Sequence, residues 1–172
     1  DMTKLNLGKK YLKKIDVFII NHALHHCPNP AKLIKMMSKY LKKNGIIILN
    51  EPETSFFLKL IQFILNDEGW SYNVDVFDYK KNIFKPNSIW DSNTAVASLL
   101  FSNEKKFHKK FPEYKILKNE LSEFSIFLNS GGVVQDTFYI PTNRFIFNLL
   151  EKFDNILIYL FPNIFALNRR IV

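Results

Sequence analysis

The sequence predicts an α/β fold with a mostly parallel sheet. Residues 15–20 and 46–49 form two short runs of mainly β-branched apolar residues, which are typical of strands covered on both faces. Between these runs, apolar residues recur at steps of three and four with lysines on the opposite side, as in an amphipathic helix. Strand, helix and strand within about 40 residues make a βαβ unit, whose handedness rule makes the two strands parallel.

Capping residues indicate where the helix of this unit begins and ends. Asn29 can accept a hydrogen bond from the first turn, and Pro30 suits the first helical position. Lysines in the last turn complement the helix dipole, and Asn44-Gly45 is typical of a left-handed helix end. We therefore expect the helix to continue from Asn29 as far as Asn44, and the second strand to end at residues 50–52.

The later part of the chain continues the alternation after a long interruption. Residues 66–93 are polar and irregular, and Ser130-Gly131-Gly132 is the sharpest turn signal in the chain. The other predicted elements are a helix at 55–65, a helix at 94–111 ended by Pro112, a strand at 114–120, a helix at 142–159, and the start of a last strand at 171–172. We expect an antiparallel strand at the edge of the sheet.

Length and charge limit the classes of function. The chain has 172 residues, which suits one domain, and its formal charge is +8. Its basic residues are 21 Lys and 3 Arg, and the lysines are scattered in pairs along the chain. Because guanine edges and phosphates are recognised best by the planar fork of Arg, this composition disfavours a nucleic-acid partner.

Cysteine usage and hydropathy indicate a cytoplasmic protein. Cys27 is the only cysteine, which excludes an intramolecular disulfide and a cysteine-based metal cluster. Residues 1–14 lack the apolar region of a secretion signal, and no apolar stretch approaches the roughly 20 residues needed to span a bilayer. We expect no transmembrane segment, and a peripheral membrane association is the alternative to a freely diffusing protein.

Three blocks of sequence occur here in the order seen in a known family. They are Ile15-Asp16-Val17-Phe18-Ile19-Ile20, then Ala23-Leu24-His25-His26-Cys27-Pro28-Asn29-Pro30, then Leu41-Lys42-Lys43-Asn44-Gly45-Ile46-Ile47-Ile48-Leu49-Asn50-Glu51-Pro52. Together they resemble the later half of the class I, Rossmann-like S-adenosylmethionine-dependent methyltransferases of domain type 11. Members commonly show a strand with an early Asp, L-H-H before P-D-P, and L-K-P-G-G before the next strand. Asn29 and Asn44 depart mildly from this pattern.

The glycine-rich turn of that family is missing from this chain. Its members bind S-adenosylmethionine with a glycine turn after their first strand, where backbone must approach the cofactor closely. The five glycines here include no G-x-G before Ile15, and the sequence begins with Asp. We therefore expect one partial methyltransferase domain, the carboxyl-terminal part of a longer one, which binds cofactor poorly without the missing N-terminal part. Its regions would be the cofactor side at 1–66, an insertion or cap at 67–113, and the last strands and helix at 114–172.

The resemblance and the strand ends suggest which residues contact the cofactor. Asp1-Met2 resembles the family's acidic residue that binds the adenine amino group. Ile20 and Asn21 stand at the carboxyl end of the first strand, where ligands bind in open α/β sheets. Asn21 could equally be a turn residue bonded to its own backbone. His25 could line the cofactor pocket, act as the catalytic base, or pack structurally.

The remaining polar side chains near the strand ends each have two interpretations. Glu51 could hold an acceptor as a catalytic residue, or it could cap a turn. A metal site of His22, His25 and His26 is disfavoured because no carboxylate lies at helical spacing beside them, so we expect no metal. Cys27 lacks the partners of a nucleophile. Aromatic residues of the later part could line an apolar acceptor pocket: Trp70, Tyr72, Trp90 and Phe138.

The predicted function is methyl transfer to a small molecule or to a glycan or lipid precursor. A sulfonium donor supplies the electrophile, so the protein mainly aligns the acceptor and excludes water. The alternative is a non-catalytic module that binds a membrane surface or a partner through the aromatic helix at 143–167, with Arg169 and Arg170 at its end. Glu151 and Asp154 lie among the apolar residues of that helix, which favours a core-packed helix with one solvated face.

Overall fold

Two parallel strands joined by a helix form the centre of the fold. In this computed structural model, the described residues are 6–65, 68–85, 87, 91–129 and 139–172. The strand β1 (Ile15–Asn21) pairs in parallel with β2 (Leu41–Pro52), and α1 (Pro30–Tyr40) connects them. The side chain of Asn29 accepts a hydrogen bond of 2.8 Å from the backbone N–H of Lys32. The predicted βαβ unit and the predicted start of its helix are confirmed.

The sheet has four strands in the order β1-β2-β4-β3. The strand β4 (Asn168–Ile171) is antiparallel to both of its neighbours, β2 and β3 (Asn119–Ser122). Three strands therefore share one direction, and the predicted α/β class is confirmed; the sheet is mixed, because only the β1-β2 pairing is parallel. The antiparallel strand β4 was expected at the edge of the sheet but is second from the edge. The strand β3 pairs with its other side and satisfies the backbone N–H and C=O groups there.

The expected end of α1 at Asn44 is wrong. The helix ends at Tyr40, and the chain enters β2 at Leu41. Asn44 does have a left-handed backbone, with φ of 65°, but it lies inside β2 where the register against β1 shifts. The next residue is Gly45, which has no Cβ atom. A Cβ atom at this position would lie only 3.0 Å from the backbone oxygen of Ile15. The Asn-Gly pair therefore serves a strand irregularity and not a helix end.

Some of the later elements differ in extent from the sequence prediction, and the last strand begins at Asn168 and not at residue 171. The helix expected at 94–111 is divided into two, because Asn103 caps a new helix by accepting from the N–H of Lys106 at 3.0 Å. The strand expected at 114–120 begins only at Asn119. The turn at 130–132 lies outside the described residues. The remaining helices are α2 (Phe56–Leu65), α3 (Val96–Phe101), α4 (Glu104–Lys110), α5 (Ser125–Leu128), α6 (Arg144–Leu160) and α7 (Pro162–Phe165), with 3-10 turns at Lys9–Tyr11 and Leu24–His26.

The main core covers one face of the sheet. Phe18 and Ile20 of β1 pack against buried residues of α1, α3 and α4. Val76 and Phe77, from the segment expected to be an insertion or cap, are also buried in this core. A smaller cluster joins Leu58 of α2 with the α5 and α7 region: Leu58, Phe127 and Leu167, with Phe57, Ile61 and Phe124 beside them. Much of the segment at 67–113 therefore contributes to the core.

The helix α6 is oriented differently from the expectation. Asp154, expected on a solvated face, is 2% exposed, while Phe145 and Tyr159 of the same helix are 77% and 86% exposed. Asp154 is buried because its carboxylate accepts hydrogen bonds from the backbone N–H groups of Phe124, Ser125 and Ile126 at 2.9 to 3.2 Å. The expectation of a core-packed helix with one solvated, charged face is therefore wrong. Among the described residues, no helix is both long and apolar enough to cross a bilayer.

Candidate functional site

Polar side chains meet at the carboxyl ends of β1 and β2, where the sequence predicted the site. Asn21 pairs with Asn50 in the sheet register, and the Asn50 amide donates a hydrogen bond of 2.7 Å to the Asn21 carbonyl oxygen. The amide of Asn168 donates in turn to Asn50 at 2.5 Å. A row of three amides therefore crosses β1, β2 and β4 at this edge. Asn21 is thus bonded to the neighbouring strand through its side chain.

Glu51 caps the loop that follows β1. One oxygen of its fully buried carboxylate accepts from the backbone N–H groups of Ala23 and Leu24, at 2.9 and 2.7 Å. The other oxygen accepts from the backbone N–H of His25 at 3.2 Å. Of the two interpretations that the sequence left open, the structure has the carboxylate in the turn-capping position. Its negative charge fixes the loop against the end of β2.

His25 lies between two carboxylates. Its Nδ1 is 2.7 Å from Oε2 of Glu51, and its Nε2 is 3.3 Å from Oε1 of Glu68. Burial lowers the pKa of His25, but hydrogen bonds to Glu51 and Glu68 outweigh it and raise the pKa to about 9. At neutral pH the imidazole therefore carries a proton on each nitrogen. A ring in that state has no lone pair with which to take a proton from a methyl acceptor.

Glu68 is a residue of the candidate site that sequence reasoning missed. It lies 43 residues beyond His25 in the chain, in the irregular segment, and no spacing pattern points to it. Its Oε1 is also 3.0 Å from Nε2 of His26. Burial raises the pKa of Glu68, but the hydrogen bond and charge of His25 outweigh it and hold that pKa below its usual range.

The neighbouring residues do not add a nucleophile. Burial raises the pKa of the Cys27 thiol to about 11, so the thiol is protonated at neutral pH. Burial also lowers the pKa of His22, whose ring stacks on Phe127 with centroids 5.7 Å apart. Ile20 packs its side chain on the main core, so its backbone is the part at the strand end. Asp1 and Met2, together with Trp90 and Phe138, lie outside the described residues.

A cavity of about 990 Å³ lies elsewhere in the fold. It opens between α1, the first half of β2 and the segment at 112–117, and its lining includes Gly45, Tyr114 and Lys35. None of the predicted site residues that the structure describes lines it. Tyr72, expected in an acceptor pocket, instead donates its hydroxyl to the backbone oxygen of Thr54 at 3.1 Å.

Known proteins that are similar to this chain indicate its family. A search of curated proteins found no match. Among solved structures, the chain is similar in layout to the crystal structure of a SAM-dependent methyltransferase from Archaeoglobus fulgidus, at 15% identity and a TM-score of 0.40. That similarity covers 94% of this chain, which spans 59% of the length of the other. The sequence profile of the family described as a methyltransferase domain matches residues 1–119, more than half of the chain. The chain belongs to this methyltransferase-domain family.

Proposed function

We propose that this chain takes part in S-adenosylmethionine-dependent methyl transfer to a small molecule or to a glycan or lipid precursor. The observation that carries the proposal is the fixed loop after β1. The Glu51 carboxylate holds the backbone of Ala23, Leu24 and His25 at the carboxyl ends of two parallel strands. In open α/β sheets this edge is where ligands bind, and a preorganised loop loses little entropy when it does so.

Within this site, Asn21 and the backbone of Ile20 are the groups we assign to cofactor contact. Both stand at the end of β1, and the Asn21 side chain is exposed on the amide row. The His25 ring lies at the same edge, but both of its nitrogens face carboxylates, those of Glu51 and Glu68, so it supports the loop and is not free to remove a proton from an acceptor. Glu51 acts through the loop as a positioning residue. When bound, the sulfonium of the cofactor supplies the electrophilic methyl group.

We further propose that this chain is the carboxyl-terminal portion of its domain and lacks the glycine-rich cofactor turn. No G-x-G precedes β1 in the sequence. Among the described residues β1 pairs with β2 alone, and Ile19 on its uncovered face is 72% exposed. Parallel strands are normally covered on both faces, and exposed strand edges are normally protected, so a further part of the sheet would fit here.

Isothermal titration with S-adenosylmethionine tests this proposal on the present chain and on a longer product that includes its upstream coding sequence. We expect weak binding by the present chain and strong binding by the longer one. In the longer protein, Asn21→Ala should weaken binding by about tenfold, the value of one good hydrogen bond. Asn73→Ala, an exposed loop asparagine, is the matched control. Sub-micromolar binding by the present chain would contradict the fragment proposal, and no binding by the longer chain would contradict the cofactor assignment.

A second candidate function is supported by the exposed side of α6. Phe145, Leu149, Phe153, Ile156 and Leu160 are exposed at steps of three and four residues along this helix. Such an apolar stripe is typical of an interfacial helix that lies in a membrane surface. Arg169 and Arg170, expected to add positive charge, form ion pairs with Glu53 and Glu123. Membrane binding through α6 would therefore depend on apolar contact more than on charge.

Vesicle co-sedimentation separates this candidate from the enzyme. A non-catalytic membrane module would bind uncharged phosphatidylcholine vesicles nearly as well as anionic ones, and binding would be lost in the Phe145→Glu, Tyr159→Glu double variant. Leu117→Glu changes an exposed leucine outside α6 and serves as the control. Loss of binding in the α6 variant, with no methyl transfer by the longer chain, would favour the second candidate. Methyl transfer without vesicle binding would exclude it.

A further inference from the structure

We propose that His25, His26 and Glu68 form a binding site for one divalent transition-metal cation of the zinc type. Each residue offers one donor atom, and the three donor atoms lie within 4.8 Å of one another. The sequence places the two histidines side by side in the 3-10 turn Leu24–His26, and the fold brings the carboxylate to them from the irregular segment. The proposal does not depend on methyl transfer, because it concerns only what these three side chains bind.

The spacing of the donor atoms suits a small cation. Oε1 of Glu68 lies 3.3 Å from Nε2 of His25 and 3.0 Å from Nε2 of His26. In a tetrahedral zinc site with bonds of about 2.0 to 2.1 Å, neighbouring ligand atoms are about 3.3 Å apart. The observed separations therefore match an edge of that tetrahedron. The two imidazole rings lie beside each other, with centroids 4.2 Å apart, and the Nε2 atoms of both rings face Glu68.

Outer hydrogen bonds prepare both imidazoles for metal binding. Nδ1 of His25 faces the Glu51 carboxylate at 2.7 Å, and Nδ1 of His26 faces the backbone oxygen of Asp91 at 3.2 Å. A carboxylate and a carbonyl can only accept, so each Nδ1 must carry the proton. Each Nε2 is then the nitrogen that faces Glu68, and a cation bound there would take the place of the proton that Nε2 of His25 carries in the metal-free protein. Metal-binding histidines are characteristically oriented in this way by a carboxylate or carbonyl behind the ring.

The backbone also holds Glu68 in place opposite the histidines. Gly69, the next residue, accepts through its carbonyl from the N–H of Thr94 at 3.1 Å. Asn93, which precedes Thr94, donates its N–H to the carbonyl of His25 at 2.9 Å. Glu68 and His25 are therefore linked through a short backbone bridge, and their approach does not rest on the two side chains alone. A built-in scaffold of this kind lowers the entropy cost of assembling a metal site.

The donor set indicates the class of cation. Two imidazole nitrogens and one carboxylate suit zinc, iron, cobalt or nickel, whereas magnesium and calcium prefer oxygen ligands. Glu51 and Glu68 bring two negative charges to this point, and a dication would balance them. The side chains of His26 and Glu68 are each 22% exposed, so solvent can reach the site. Three protein ligands would leave one position for water or for an oxygen of a bound ligand.

Metal titration of the chelator-treated protein tests this assignment. We expect one Zn²⁺ per chain by isothermal titration and, with Co²⁺, visible absorption bands of a site with nitrogen and oxygen ligands. The variants His26→Ala and Glu68→Gln should each weaken Zn²⁺ binding by at least about tenfold. His108→Ala, which removes a histidine outside the site, should leave it unchanged. His25→Ala is avoided because that buried ring also supports the loop through Glu51.

Circular dichroism establishes that each variant is folded before titration. The proposal is overturned if the folded wild-type protein binds no Zn²⁺, or if His26→Ala and Glu68→Gln bind Zn²⁺ as tightly as the wild type. It is also overturned if His108→Ala lowers the binding as strongly as the two site variants do, since the metal would then be held by surface histidines without a defined site.

Discussion

Oε2 of Glu51 lies 2.7 Å from Nδ1 of His25, although the two residues belong to different segments on either side of α1. The same carboxylate accepts the backbone N–H groups of Ala23 and Leu24. One buried acidic side chain therefore joins the end of β2 to the loop after β1. Both the cofactor site and the metal site proposed above depend on this single connection.

Replacement of Glu51 should destabilise the fold strongly. In Glu51→Gln, one carboxylate oxygen becomes an amide NH₂ that faces N–H donors, and the buried His25 cation loses the closer of its two carboxylate partners. We expect a loss of about 3 kcal/mol in the free energy of unfolding, measured by urea denaturation. Glu113→Gln, which breaks the partly exposed pair with Lys35, should cost less than about 1 kcal/mol. Equal losses in the two variants would contradict the connecting role of Glu51.

Gly45 should tolerate no side chain. A Cβ atom at this position would lie 3.0 and 3.1 Å from the backbone oxygens of Ile15 and Asp16, and 2.9 Å from Cδ2 of Leu41. Because strand backbone cannot move aside as a flexible side chain can, Gly45→Ala should lower the free energy of unfolding by about 2 kcal/mol. Thermal denaturation measures the effect.

Gly69→Ala is the matched control for this prediction. A Cβ atom at Gly69 meets nothing within 4 Å, so its stability should change by less than about 0.5 kcal/mol. If Gly45→Ala has the same melting temperature as the wild type, the prediction that β1 and β2 approach each other too closely for a side chain at this point is wrong.

The sequence predicted the βαβ unit well because its signals are local. The apolar runs, Asn29 and Pro30 each act on their own segment, and the structure has the predicted strands and helix start. Asn44-Gly45 was misinterpreted because two physical causes produce the same residue pair. A left-handed helix end and a strand irregularity with close backbone approach both favour Asn-Gly, and only the position of β1 distinguishes them.

The chemistry of the site was less predictable because it depends on contacts that are distant in sequence. Glu68 meets His25 and His26 across an irregular segment without a periodic pattern. Asp154 was expected in solvent because charged residues usually are, yet it is buried as the cap of a helix 29 residues earlier in the chain. In both cases, the side chain binds groups of a segment that is distant in sequence, so the pattern within either segment does not reveal the contact.

The Asp154 carboxylate should be essential for the docking of α6 on α5. It accepts the Ser125 hydroxyl at 2.6 Å in addition to three backbone N–H groups. In Asp154→Asn one acceptor becomes a donor facing those N–H groups, so we expect a loss of about 2 kcal/mol in the free energy of unfolding. Hydrogen exchange should also become faster at Phe124, Ser125 and Ile126.

Glu151→Gln is the control on the same helix, since Glu151 is exposed. Its stability should change by less than about 0.5 kcal/mol, and exchange at residues 124–126 should be unaffected. Unchanged exchange at these residues in Asp154→Asn would contradict the capping role.

Tyr114 should make the protein sensitive to alkaline pH. Its hydroxyl donates a hydrogen bond of 2.9 Å to the backbone oxygen of Ile34, and burial, reinforced by the charge of Glu113, raises the pKa of the phenol above its ordinary value of 10. Below pH 10 the phenol is neutral in both the folded and the unfolded chain, so the Tyr114 hydroxyl stabilises the folded chain to its full extent and this contribution does not change with pH. Above pH 10 the unfolded chain releases this proton and the folded chain retains it, so stability falls as the pH rises, by up to about 1.4 kcal/mol per pH unit.

Tyr114→Phe separates the hydrogen bond from the titration. At pH 8 the variant should be less stable than the wild type by about 1 kcal/mol, since it lacks the bond to Ile34. Its deficit should shrink between pH 10 and pH 11, because phenylalanine has no proton to lose. Urea denaturation at pH 8, 10 and 11 measures this difference, with Tyr159→Phe as the exposed control whose stability should match the wild type throughout. A deficit that stays constant to pH 11 would show that the Tyr114 phenol ionises equally in the folded and unfolded chains.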